Sequence, residues 1–100
     1  MDKNTALNHA RKYAEILKGY MPPAAVVLYG SYVKGTQTDE SDIDIAVIFD
    51  SFNGDFLETS ALLYQLTCEV DTSIEPILLD VSKDNSGFAR EVIRTGQQIA

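Results

Sequence analysis

The sequence predicts an α/β (α+β) fold in which a small mixed β-sheet is flanked by helices. Three short runs rich in β-branched and apolar residues have the length of buried strands. They are Ala24–Tyr29, Asp42–Phe49 and Ile74–Val81. Stretches with apolar residues at helical spacing lie before, between and after these runs. The chain has 100 residues, the size of one domain, so residues 1–100 are expected to form a single unit.

The first predicted helix covers about Thr5 to Lys18. Apolar residues recur there at intervals of three and four, which is the spacing of one helix face. They are Leu7, Ala10, Tyr13, Ala14 and Leu17. Asn4 or Thr5 can cap the start of this helix, and Gly19 followed by two prolines ends it.

The first strand leads directly into a turn bracketed by Gly30 and Gly35, a connection short enough for one helical turn. Glycine at position 30 lets the backbone approach a ligand closely, and the amides of such a turn can point at phosphate oxygens. Ser31 adds a hydroxyl donor. Because plain turns also contain Gly-Ser pairs, the turn alone does not assign a site.

Two aspartates stand at the start of the second strand. Residues two apart on a strand leave the same face, so Asp42 and Asp44 are expected side by side. Burying like charges without a partner costs several kcal/mol, which favours a ligand at this position. Mg²⁺ prefers oxygen ligands and usually binds one or two carboxylates together with substrate phosphates. The alternative is a solvated pair at a strand end in an acidic protein.

The second half of the chain predicts a helix, a strand and a final helix. Asp55 is expected to cap the second helix, and the core-facing residues of that helix are Phe56, Leu63, Leu66 and, at its far end, Val70. Pro76 lacks an amide hydrogen, which favours an edge position or a bulge for the third strand. Asn85 or Ser86 can cap the final helix, which Gly96 ends.

The charge of the chain excludes some partners. A formal net charge of −7 argues against stable binding to free nucleic acid, which needs a basic surface. A negative chain that handles phosphates must recruit cations. One cysteine cannot form an internal disulfide, and no apolar run approaches the roughly 18 residues that span a bilayer. A cytoplasmic location without membrane association is therefore expected.

The Gly-Ser turn and the aspartates together form a more specific pattern, GSYVKGTQTDESDID, at residues 30–44. This pattern resembles the nucleotidyltransferase superfamily typified by DNA polymerase β, and most closely its minimal nucleotidyltransferases. Residues 91–96, EVIRTG, also resemble the final helix and glycine of the family. The resemblance therefore covers most of the chain and implies a polymerase β-like nucleotidyltransferase fold.

The resemblance also implies roles for individual residues. Asp42 and Asp44 would hold one or two Mg²⁺ ions, which bind the triphosphate of the substrate ATP. Gly30 and Ser31 would hold the β- and γ-phosphates. Many relatives read Gly-Ser-x-Ala-Arg-Gly, and Lys34 stands at the arginine position of this chain. Lysine keeps the positive charge for a phosphate but loses the bidentate fork of arginine.

Members of this family usually carry a third carboxylate on a neighbouring strand, where it can share the metal and take the proton of the acceptor. Glu75, within Ile-Glu-Pro, matches that position best and is expected to act as a catalytic and metal-binding residue. Asp71, at the mouth of the third strand, is the alternative.

The resemblance further implies the acceptor. The chain lacks the additional domains of larger members, so a partner is expected to supply the acceptor hydroxyl. For minimal nucleotidyltransferases this partner is a small helical protein of the HEPN class, often a toxin ribonuclease, and AMP transfer to its tyrosine makes the transferase an antitoxin. One alternative is a catalytically weak module that neutralises its partner by contact. Another is a nucleotidyltransferase for a small molecule such as an aminoglycoside.

Overall fold

Four strands form one mixed sheet in the computed structural model, which describes residues 1–100. They are β1 (Ala25–Tyr29), β2 (Ile43–Phe49), β3 (Ile74–Asp80) and β4 (Gln97–Gln98). Their order across the sheet is β3-β2-β1-β4. β1 pairs antiparallel with both β2 and β4, whereas β2 pairs parallel with β3. The predicted small mixed sheet flanked by helices is confirmed.

The helices are α1 (Lys3–Leu17), α2 (Ser31–Lys34), α3 (Phe56–Thr67) and α4 (Phe88–Thr95), with a 3-10 turn at Val81–Lys83. Val81 therefore lies beyond the third strand, which had been expected to include it. None of the helices combines the length and the apolar character needed to cross a membrane.

The two faces of the sheet are covered unequally. α1 and α3 pack on one face and form the main core. The buried residues that α1 contributes are Ala6, Ala10, Tyr13, Ala14 and Leu17. On the opposite face α4 packs on β1 through a smaller cluster. Ile77 and Leu79 of β3 lie at the border of that cluster and remain half-buried.

The helix caps agree only partly with the prediction. Asp55 caps α3 as expected, because its carboxylate accepts a hydrogen bond of 2.9 Å from the amide of Glu58. Asp2, rather than Asn4 or Thr5, caps α1 by accepting a bond of 2.8 Å from the amide of Thr5. α1 therefore begins two residues before the predicted start, because its first turn lies outside the apolar pattern that reveals the helix.

The start of α4 also differs from the prediction. The N-cap position is Gly87, in the left-handed region with φ of 80°, although the hydroxyl of Ser86 also accepts a hydrogen bond of 3.3 Å from the amide of Phe88. Asp84 satisfies the free amides of the first turn, accepting bonds of 2.9 Å from Ala89 and 3.1 Å from Arg90. A residue three positions before the cap has folded back onto the helix, which a search for adjacent cap residues cannot find.

Three further elements can be compared with the sequence. β3 is an edge strand, and Pro76 lies opposite Ile45 in an uninterrupted register, so the edge alternative is correct and the bulge is not. Phe56 was expected in the core but is 52% exposed. β4 was not predicted, because two glutamines carry no apolar pattern.

Candidate active site

Asp42 and Asp44 flank the first residue of β2 rather than both opening the strand. Ile43 lies between them and is fully buried in the core formed with α1 and α3. Because side chains alternate across a strand, the two carboxylates lie on the opposite face, where α4 packs on the sheet. Asp42 is exposed and Asp44 is half-buried. The structure thus brings together the two aspartates that the sequence pattern paired.

β3 places a third carboxylate beside this pair. Glu75 lies opposite Asp44 in the parallel register of β2 and β3, and shares its face. The pKa of Glu75 is raised, chiefly because its carboxyl can share a hydrogen bond with that of Asp42. Burial and the charges of Asp42 and Asp44 raise it further. The three carboxyl groups therefore act on one another electrostatically.

Asp71, the alternative third carboxylate, is occupied elsewhere. Its Oδ1 accepts bonds of 2.8 Å from the amide and 2.6 Å from the hydroxyl of Ser73. Its Oδ2 lies 3.7 Å from Nε2 of His9 on α1. The Ser73 bonds, with a smaller contribution from His9, lower the pKa of Asp71. Asp71 therefore stabilises the turn into β3, and only Glu75 joins the two aspartates.

The carboxylates of the site lack cationic partners within the protein. No lysine, arginine or histidine forms an ion pair with Asp42, Asp44 or Glu75. Burial raises the pKa of Asp44, and the negative charge of Asp42 raises it further. An exogenous cation would relieve this repulsion, and carboxylate oxygens are the donors that a hard divalent cation prefers.

The donor set fits Mg²⁺ that is bound together with a nucleotide. No three His, Cys, Asp or Glu side chains converge closely enough to hold a metal by themselves. Mg²⁺ usually keeps several waters and takes only one or two carboxylates, with substrate phosphates as further ligands. An open pair of aspartates is therefore sufficient from the protein side.

The glycine turn lies directly against the carboxylates. Gly30 adopts φ of 79° and ψ of −148°, a region essentially restricted to glycine. A Cβ atom at this position would collide with Oδ2 of Asp44. α2 begins at Ser31, immediately after Gly30, and its first amides have no acceptor within the helix. Backbone donors of this kind bind phosphate oxygens in other proteins.

Lys34 ends α2 and is exposed, without an ion pair. It borders a cleft of about 280 Å³ between α2 and α4. The other lining residues are Tyr29, Gly30, Phe88, Glu91, Val92 and Thr95. The cleft opens beside the glycine turn, so a cation and free backbone donors lie near one another.

Tyr29 is a site residue to which the sequence assigned no role. It pairs with Asp44 in the β1–β2 register, and its ring packs edge-on against Phe88 at a centroid distance of 5.9 Å. Burial, followed by the charges of Asp44 and Glu75, raises the pKa of Tyr29 to about 12. The signal available in the sequence was its position directly before Gly-Ser. In the structure Tyr29 lies on the face of the sheet that carries the carboxylates.

The fold and the site together define a domain of the nucleotidyltransferase class. Residues 11–100 match the family model described as polymerase beta, nucleotidyltransferase. The chain belongs to this polymerase beta nucleotidyltransferase family.

The chain is also similar to several curated proteins. It is 30% identical over 92 residues to the protein adenylyltransferase MntA of Shewanella oneidensis, covering 88% of this chain and 62% of MntA. Two proteins of Methanocaldococcus jannaschii are provisionally named protein adenylyltransferases. One is 33% identical over 73 residues, which is 72% of this chain and 73% of that protein. The other is 51% identical over 43 residues, which is 43% of each. The chain thus spans less than two thirds of the length of MntA, and less than half of the Methanocaldococcus protein to which it is 51% identical.

Two solved structures share the fold. One is a toxin-antitoxin with AMP-PNP, at a TM-score of 0.59 and 24% identity. The other is a mutant of the toxin-antitoxin MntA-HpeT, at a TM-score of 0.58 and 23% identity. Each match covers 100% of this chain and 73% of the other. At this level of identity the likeness shows a common fold.

Proposed function

We propose that the chain is a Mg²⁺-dependent nucleotidyltransferase that moves AMP from ATP to a hydroxyl group of a partner protein. The observation that carries the proposal is the placement of Asp42, Asp44 and Glu75 on one face of the sheet beside the Gly30 turn. Membership of the family and the protein adenylyltransferases among the relatives support the type of reaction.

The site divides into a phosphate half and a carboxylate half. Gly30 and Ser31 would hold the β- and γ-phosphates of ATP through backbone and hydroxyl donors, while Lys34 offsets phosphate charge. Asp42 and Asp44 would hold one or two Mg²⁺ ions, with Glu75 as a further ligand. When bound, Mg²⁺ supplies positive charge that stabilises the attacking and leaving oxygens of an in-line displacement.

Glu75 is the proposed general base. The acceptor hydroxyl loses its proton to Glu75 as its oxygen bonds to the α-phosphorus of ATP. The bond from that phosphorus to the bridging oxygen breaks, and pyrophosphate leaves. A general base must lie within reach of the proton that it takes, and Glu75 lies opposite Asp44 on the neighbouring edge strand.

The proposed partner is a small helical HEPN-type toxin whose tyrosine receives AMP, which makes this chain a cytoplasmic antitoxin. The two neighbouring structures are toxin-antitoxin complexes, which supports a partner of this kind. The net charge of −7 fits a protein acceptor better than a nucleic acid. Residues 1–100 would act as a single catalytic domain that takes its acceptor from outside.

The proposal is tested by incubating the chain with labelled ATP, Mg²⁺ and the product of the neighbouring gene. Label is expected on the partner, with release of pyrophosphate. Asp42→Asn and Asp44→Asn should each reduce transfer to background, because each removes a metal ligand's charge at constant shape. Glu75→Gln should slow transfer by roughly 10²–10⁴-fold, the usual contribution of a general base. Asp39→Asn, at a fully exposed position of the preceding loop, is the matched control and should keep transfer.

Two results would contradict this assignment. Normal transfer by the Asp42 and Asp44 variants would show that the carboxylate pair is not the catalytic site. Full neutralisation of the partner by variants that transfer nothing would show that contact alone inhibits the partner.

A further inference from the structure

The outer face of α3 is apolar although the helix packs on the protein through its other side. Leu63 and Leu66 are buried in the core, whereas Leu57 is 80% and Tyr64 is 51% exposed. Exposed apolar residues recur along the helix at intervals of four, three and four. They are Leu57, Ala61, Tyr64 and Cys68, here called the outer stripe. The only charged residue within α3 is Glu58. A contiguous apolar stripe exposed on a surface helix is typical of an interaction site, so the outer stripe indicates a covering partner.

Acidic residues border the outer stripe at both ends. Asp55 and Glu58 lie at its start and Glu69 at its end, all of them exposed and without ion pairs. Two copies of a chain with a net charge of −7 would bring like charges together on association. The border is instead complementary to a surface in which basic residues surround an apolar patch.

The candidate site places the acceptor at the β3 edge of the sheet. Across the sheet, Asp42 and Asp44 lie between the Gly30 turn that follows β1 and Glu75 on β3. In an in-line displacement the attacking and leaving oxygens are on opposite sides of the phosphorus. With pyrophosphate at the Gly30 turn, the acceptor hydroxyl must approach from the β3 side. α3 packs on β3 from the opposite face of the sheet, and residues 68–73 join the end of α3 to the start of β3 beside Glu75. The C-terminal part of the outer stripe therefore lies at the same end and the same edge of the sheet as this approach.

We infer that the outer stripe of α3 is the docking surface for the partner protein that presents the acceptor hydroxyl, through an apolar patch ringed by basic residues. This inference rests on the proposed function for the nature of the partner. It adds the surface that binds the partner and the direction from which the hydroxyl reaches the site.

The single cysteine of the chain offers a direct test, because Cys68 belongs to the outer stripe and is exposed. The rate at which a maleimide modifies Cys68 is measured with and without the product of the neighbouring gene. The partner is expected to slow modification by at least about tenfold, as for a site in the centre of an interface. The control is the double variant Cys68→Ser, Ile93→Cys, which moves the thiol to a position on α4 that is 49% exposed in the natural chain. Its modification rate should not change.

Charged substitutions in the outer stripe provide the second test. Leu57→Lys and Tyr64→Lys should each weaken partner binding by at least about tenfold, the loss typical of an interface residue that contributes strongly. Ile93→Lys is the matched control and should bind normally. All three variants should bind AMP-PNP with Mg²⁺ as the natural chain does, which shows that the fold and the site are intact.

The outcomes separate this inference from the proposed function. If the natural chain transfers AMP while Leu57→Lys and Tyr64→Lys bind the partner normally, the docking surface is wrong and the chemistry stands. If the partner protects Cys68 but receives no AMP, the docking surface stands and the chemistry is wrong. Lack of protection at Cys68 overturns the inference. Self-association of the chain that Leu57→Lys abolishes also overturns it, because a second copy is then the occupant.

Discussion

Gly30 combines a backbone conformation restricted to glycine with a position against Asp44 that has no room for a Cβ atom. Gly30→Ala is expected to lower the free energy of unfolding by about 1–3 kcal/mol through backbone strain. The collision should also displace the Asp44 carboxylate, so binding of AMP-PNP with Mg²⁺ should weaken as well. Chemical denaturation and a nucleotide titration measure the two effects.

Gly35→Ala is the matched control for this prediction. Gly35 also has a positive φ, of 76°, but a Cβ atom there would meet nothing within 4 Å. The variant should therefore show the strain without the loss of nucleotide binding. Equal weakening of nucleotide binding in both variants would contradict a special role for position 30.

Asp44 is expected to reduce the stability of the metal-free protein at neutral pH. Because its pKa is higher in the folded protein than in the unfolded chain, the folded state holds the proton more tightly. The ordinary pKa of an aspartate is 3.8. The stability that the Asp44 carboxyl contributes is fully present below that pH and is lost as the pH rises through the folded-state pKa. Asp44→Asn should therefore be more stable than the natural chain at pH 7, and this difference in stability should vanish below pH 3.8.

Denaturation curves without Mg²⁺ at pH 7 and at pH 3 measure this difference. Asp39→Asn, on the exposed loop, should gain no stability at either pH. An Asp44→Asn variant that is less stable than the natural chain at pH 7 would show that the carboxylate makes favourable contacts that outweigh its burial and repulsion.

At the residue scale, the sequence predicted the parts of the site that lie close together along the chain. Gly30, Asp42 and Asp44 fall within one short motif, so their grouping was visible without a structure. The choice between Glu75 and Asp71 depended on the register of β3 against β2. Register arises from long-range pairing, which a local pattern does not contain.

At the scale of helices and strands, Gly96 lets the end of α4 lie directly on β1. A Cβ atom at this position would collide with Cγ1 of Val27 and come within 2.7 Å of the carbonyl oxygen of Val92. Gly96→Ala is expected to cost about 1–3 kcal/mol of stability, the usual cost of overpacking. The segment after it should loosen most, because the amides of Ile99 and Ala100 both donate to the carbonyl of Val26.

Amide hydrogen exchange at Ile99 and Ala100 measures that loosening, together with the overall stability. Gly19→Ala is the control, since its Cβ would meet only the carbonyl oxygen of Ile16, at 3.3 Å. Unchanged exchange at Ile99 and Ala100 in Gly96→Ala would show that the C-terminal segment does not depend on this close approach.

Helices and strands whose apolar residues repeat at a regular spacing could be predicted from the sequence. A strand that exists only because it pairs with a neighbouring strand could not. α1 and α3 were found because their buried residues repeat at helical spacing. β4 was missed because pairing with β1, rather than its own composition, makes its glutamines a strand. Phe56 was placed in the core because it lies seven residues before Leu63, on the same side of α3, but it is the first residue of the helix and remains 52% exposed.

At the scale of the whole molecule, one buried hydrogen bond connects α1 with α3. The hydroxyl of Tyr13 donates to the carbonyl oxygen of Leu63 over 2.7 Å, between residues 50 apart in sequence. Tyr13→Phe keeps the ring in the core and removes this bond. It should lower the free energy of unfolding by roughly 0.5–1.5 kcal/mol, the net contribution of such a bond. Chemical denaturation measures the change.

Tyr32→Phe is the control, and this substitution is not expected to lower the free energy of unfolding. Tyr32 is as fully buried as Tyr13, but its hydroxyl has no hydrogen-bond partner among the protein groups. Removing a buried hydroxyl without a protein partner should leave stability unchanged or raise it. Equal destabilisation by the two substitutions would indicate that ring packing, rather than the Tyr13 bond, explains the loss.

The position of Pro76 also bears on the risk of aggregation. The amide of Ile43 donates to the carbonyl of Ser73, so in the parallel ladder the backbone groups of residues 75, 77 and 79 face β2. The backbone of residue 76 therefore faces away from the sheet, where a proline has no hydrogen to offer to an incoming strand. An edge interrupted in this way is a poor template for the stacking of exposed strands that leads to fibrils. The same proline that β3 tolerates at the margin of the sheet thus protects a highly apolar strand from indiscriminate self-assembly.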